Sequence, residues 1–85
     1  MRHRIAAEIV GNDTRLITVM SSGFRMFFAS ASSKVGKQLA PFPKYSLVYV
    51  VVDPKQGNTI LEVIDPATWS ELAKTLKFRK LGSVG

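Results

Sequence analysis

Phe24-Arg25-Met26-Phe27-Phe28 is the stretch of this chain whose residue types could do chemistry together. In a strand, alternation puts Arg25 and Phe27 on one face and Phe24, Met26 and Phe28 on the other. A surface carrying a cation beside an aromatic ring suits single-stranded nucleic acid, because bases stack on rings while phosphates meet Arg and Lys. Arg15 and Ile17 fall on the same face in the preceding strand. Lys34 and Lys37 lie in a later loop and would line a groove edge, and Lys77-Phe78-Arg79-Lys80 interleaves one ring with three cations. Each group has a competing structural assignment. Phe27 would be core with Arg25 solvated, Lys34 and Lys37 would be solvated loop cations, and Lys77, Arg79 and Lys80 would meet the dipole at a helix C-terminus.

The residues for catalysis are missing. His3 is the single histidine and stands near the N-terminus, so a Ser-His-Asp constellation has no base to use. There is no cysteine and no second histidine for a transition metal. Asp53 and Asp65 each precede proline and read as turn or cap residues. Gly36-Lys37 superficially resembles the end of a phosphate loop. However, Ala31 stands where its first glycine belongs, and Gln38 where Ser or Thr would hold Mg²⁺. The expectation is a non-enzymatic protein with no cofactor and no metal.

Twelve Lys and Arg against six Asp and Glu give a net charge of +6, which attracts polyanions as well as aiding solubility. With 46% hydrophobic and 21% charged residues, the 85-residue chain can build a core, as a single domain over 1–85. A chain this short buries a modest share of its surface and has no disulfide to compensate, so a homodimer is expected to add buried area. Glu8 interrupts the apolar residues after Arg4 before a signal-type core can form. Leu47 to Val52 is too short a run to cross a bilayer, so the expected location is cytoplasmic, with no membrane partner.

The elements that must position these residues are mostly strands. Tyr45 to Asp53 has two apolar rows, Tyr45, Leu47, Tyr49 and Val51 against Val48, Val50 and Val52, and predicts a strand covered on both faces in the middle of a sheet. Arg4–Val10, Thr14–Met20 and Phe24–Ala31 predict three strands joined by turns at Gly11-Asn12-Asp13 and Ser21-Ser22-Gly23. Ser32 to Lys44 reads as one long loop, with room for a helical turn around Val35 to Leu39. Thr59 to Ile64 is the last strand, and Asp65-Pro66 starts a helix with Trp69, Leu72, Ala73 and Leu76 on one face. Thr68 with Glu71 offers a second capping register. The sum is an α+β fold. It has a curved five-stranded antiparallel sheet, or a small barrel if the sheet closes, with one C-terminal helix in the order β-β-β-loop-β-β-α.

Residues 59–72, running from Thr59 through Pro66 and Trp69 to Leu72, resemble the last strand and helix start of the PC4-like and PUR-like single-stranded-DNA-binding proteins. In those families a final strand passes through a Pro-containing cap into a helix with an aromatic followed three residues later by Leu. Pro66, Trp69 and Leu72 stand at those positions. The resemblance implies a curved sheet packed on a C-terminal helix, dimerisation near that helix, and single-strand binding on a basic, aromatic sheet surface. Here it transfers Trp69 and Leu72 only as packing positions. The leading expectation is therefore a small nucleic-acid-binding protein preferring single-stranded DNA or RNA. The alternative is a protein–protein interaction module, an adaptor or inhibitor of a larger acidic partner, using Phe78, the loop and a sheet edge.

Overall fold

Alternating apolar residues with short polar turns between them favour hairpins, and the chain folds as a succession of them. The computed structural model describes residues 1–76. Its strands are β1 (His3–Asn12), β2 (Leu16–Ser21), β3 (Met26–Ser30), β4 (Leu47–Val52) and β5 (Ile60–Val63). Helix α1 (Lys34–Leu39) joins β3 to β4, and helix α2 (Trp69–Leu72) follows β5. The sheet order is β3-β2-β1-β4-β5, and each ladder is antiparallel.

The sheet is strongly curled into a half-barrel of α+β class. Register shifts in β1 between Ile9 and Gly11, and across β4–β5 between Val51 and Val52, supply bends, since a bulge adds twist to its strand. The curl brings the two edge strands together. The Phe28 amide donates to the Asn58 carbonyl at 2.7 Å, and Phe28 and Thr59 form a single parallel bridge. One row of side chains from every strand faces inward: Ala7 and Ile9, Ile17 and Val19, Phe27 and Ala29, Val48, Val50 and Val52, then Ile60 and Val63. Leu39 of α1 is fully buried and closes one end of this core.

Three expectations are refined. The valine-rich ribbon is an interior strand, but β1 is the central one, and β4 starts at Leu47 instead of Tyr45. Its outer row is covered mainly at Tyr49, 3% exposed, whose ring lies 5.6 Å from that of Trp69. Leu47 remains 40% exposed.

The long loop holds a helix, because the Ser33 hydroxyl accepts from the Gly36 amide at 3.0 Å and caps α1. The C-terminal helix is short. A 3₁₀ turn over Pro66–Thr68 precedes the four-residue α2. Asp65 caps that turn by accepting from the Ala67 amide at 3.1 Å. Thr68 makes no side-chain cap, because its hydroxyl donates back to the Asp65 carbonyl at 2.8 Å.

Candidate nucleic-acid interface

Which row of a strand faces the core depends on how the sheet closes, and here the inward row of β3 is the one expected to make contact. Phe27 is 3% exposed and belongs to the core, so its ring is not available for a base to stack on. The outward row of that stretch is Met26 and Phe28. Arg25 does stay with Phe27, its guanidinium carbon 5.2 Å from the ring centroid. Its Nε and Nη2 donate to Asn58 Oδ1 at 3.1 and 3.0 Å, which ties the β2–β3 turn to the β4–β5 connection.

Arg15 lies at the other end of the half-barrel, in the β1–β2 turn. The Asp13 carboxylate accepts from the Arg15 and Leu16 amides at 2.7 and 2.8 Å and fixes that turn. The Ala31 amide donates to the Arg15 carbonyl at 2.9 Å, so the start of the α1 segment sits beside it. Lys34 and Lys37 are exposed on α1 at this same end. The expected set therefore divides into two groups, Arg15 with Lys34 and Lys37 at the α1 end and Arg25 at the far end. The six residues of β2 separate them by about 20 Å. Lys77, Arg79 and Lys80, with Phe78, lie outside the described residues.

The structure adds two rings that alternation alone did not single out. Phe24 in the β2–β3 turn is 69% exposed, and Tyr45 just before β4 is 59% exposed. Both are held at positive φ, 66° and 75°, a conformation that bulky side chains rarely adopt. Lys44 Nζ lies 5.2 Å from the Tyr45 ring centroid. Strand register places Met26, Met20, Glu8 and Leu47 in one row across the outer face. Phe24 precedes Met26 by two residues and Tyr45 precedes Leu47 by two, so on these oppositely directed strands they stand past opposite ends of this row. The available sequence signals were Gly23 before Phe24 and Pro43-Lys44 before Tyr45, each marking a turn that presents the next side chain.

The carboxylates leave the cations free. Among the described residues the ion pair found is between the N-terminal ammonium and Asp53, at 3.2 Å. Asp13 is held below the usual carboxylate range, first by the Arg15 amide and then by the Leu16 amide. Asp53 is also lowered, chiefly by the Lys55 amide it accepts from, against the opposing effect of burial. Asp65 is engaged in its cap. The described Arg and Lys side chains thus carry positive charge with no carboxylate in ion-pair contact.

A shallow groove between α1 and β5 is lined by Gln38, Glu62, Val63, Asp65 and Pro66, with Lys34 at its adjoining end. Among the described residues no cluster of three or more His, Cys, Asp or Glu could hold a metal ion, and no helix is long and apolar enough to cross a membrane. No protein-family model, curated protein or solved structure matches this chain.

Proposed function

We propose that the protein binds single-stranded nucleic acid along the outer face of its sheet, between Phe24 and Tyr45. The observation that carries this reading is the pair of exposed rings, each held on strained backbone next to the start of a strand that contributes to that face. Strain of this kind persists where the surrounding structure over-determines it, and it clusters at ligand clamps. Two such rings give bases something to stack on, whatever their identity. Lys44 beside the Tyr45 ring, with Arg15, Lys34 and Lys37 towards that end, meets the phosphates, whereas Arg25 is held on the Phe27 side of β3 by its bonds to Asn58. Partly open five-stranded antiparallel barrels are a common host for oligonucleotides, which supports the reading by analogy of architecture alone.

Titration of fluorescently labelled oligonucleotides by anisotropy tests it. A thymidine twelve-mer should bind, and a duplex of the same length should bind more weakly. The logarithm of affinity should fall against the logarithm of salt with a slope of about −2 to −3, as expected if about three or four phosphates are neutralised. Absence of binding at low salt would end the proposal.

Phe24→Gly separates contact from folding. Removing the ring should weaken binding roughly 5- to 150-fold, the range seen when a stacked base loses its platform. The same change relieves roughly 1–2 kcal/mol of left-handed strain. That relief offsets the roughly 0.5–1 kcal/mol of added chain freedom. The variant should therefore be at least as stable as its parent in a urea titration. Lower stability, or unchanged affinity, would contradict this role.

A further inference from the structure

Glu8 is a carboxylate with an unusual setting. It stands on the central strand, yet only 8% of it is exposed. Ala7 and Ile9 on either side face the core, so Glu8 faces the outer surface. Its cross-strand neighbours there are Met20 on β2 and Leu47 on β4, with Met26 one strand further on. Among the described residues it has no hydrogen-bond donor and no cation within ion-pair distance. No buried side-chain oxygen lacks a partner among the described residues, so the Glu8 oxygens reach the surface between these neighbours and stand open to a donor arriving from outside. Because the row around it is apolar and partly exposed, with Met26 at 46% and Leu47 at 40%, the arriving group must combine an apolar face with an N–H edge.

We propose that Glu8 reads the Watson–Crick edge of a guanine in the bound strand. This rests on the single-strand reading above and adds base preference to it. Ionised, a carboxylate only accepts hydrogen bonds, and it does so through two oxygens side by side. Guanine presents two adjacent donors on that edge, the N1–H and the N2 amino group. Adenine and cytosine each present one donor beside an acceptor, and thymine or uracil one donor between two acceptors. Only guanine therefore satisfies both carboxylate oxygens without setting an acceptor against them. The purine ring lies over Met20 and Met26, whose thioethers adapt to a flat partner. A second copy of this chain fits the row less well, since a two-fold contact centred here would bring two Glu8 carboxylates together.

The test uses labelled thymidine twelve-mers with one central base replaced by guanine, adenine or hypoxanthine, titrated against the whole protein. The guanine oligomer should bind roughly 5- to 150-fold more tightly than the adenine one, the discrimination expected of one bidentate base contact. Hypoxanthine keeps N1–H and lacks the N2 amino group, so it should fall between them. This comparison needs no variant and stands even if substitutions at Glu8 fold poorly. In Glu8→Gln the preference for guanine should disappear, because the amide sets a donor against one of guanine's two donors. Equal affinity for all bases, or a guanine preference that survives in Glu8→Gln, overturns this proposal and leaves the single-strand reading standing. Failure of every oligomer to bind overturns both.

Discussion

Gly36→Ala should cost about 3 kcal/mol of folding stability, although helix propensity alone favours alanine over glycine by roughly 1 kcal/mol. The reason is space. A Cβ at position 36 would overlap the Ser30 carbonyl oxygen and lie 2.8 Å from Ala31 Cα. Both obstacles are backbone atoms, so no side chain can rotate away. That backbone is also pinned. The Ser33 amide and hydroxyl donate to the Ser30 carbonyl at 3.0 and 2.6 Å, and the Ala31 amide donates to the Arg15 carbonyl at 2.9 Å. The relief available is to lift α1 from the end of the half-barrel, which withdraws Leu39 from the core. A urea titration followed by far-UV circular dichroism decides the sign. An alanine variant more stable than the parent would mean that α1 does not press on the end of β3.

Trp69→Ala should be comparably damaging, by roughly 3 kcal/mol. The indole stands between Phe42, at 5.2 Å between ring centroids, and Tyr49 at 5.6 Å. Its Nε1 donates to the Ile64 carbonyl at 2.7 Å, where β5 ends and the backbone would otherwise lack a partner. Alanine removes the ring contacts and the bond together and uncovers the outer row of β4 at Tyr49. Trp69→Phe keeps much of the ring contact and loses only the bond, so it should cost about 1 kcal/mol. Thermal unfolding followed by circular dichroism measures both, since Trp69 is the one tryptophan and its own fluorescence is lost. Equal losses in the two variants would show that the hydrogen bond dominates, and a loss below about 1 kcal/mol in alanine would show that α2 is not needed to cover the sheet.

The residues of the candidate interface were legible in part. Arg25 was visible as a cation set among rings, and its pairing with Phe27 on one side of the strand follows from alternation. Alternation relates residues i and i+2 but does not say which of the two rows faces inward. That was decided when the sheet curled and Val19, opposite Phe27 on β2, turned inward with it. Phe24 and Tyr45 were hidden for a related reason. Each begins an alternating run in the sequence, but each adopts a positive φ that ends regular pairing and presents its ring. Glu8 looked like an interruption in an apolar run. Its enclosure depends on Met20 and Leu47, which lie far from it in the chain and reach it only through register.

By itself the sequence determined the local features. It set the succession of elements along the chain, the two apolar rows of β4, the caps at Asp53 and Asp65, and an excess of positive charge, because each depends on residue type and on near neighbours. Only the tertiary structure decided what needs distant segments to meet. Asn58 lies against Phe28, α1 lies against the end of β3, the cations divide between two ends, and a carboxylate is enclosed on the outer face. The physical reason is closure. A sheet of these strands can curl with either face inward as far as hairpin chemistry is concerned, and burial of the largest common apolar surface selects one.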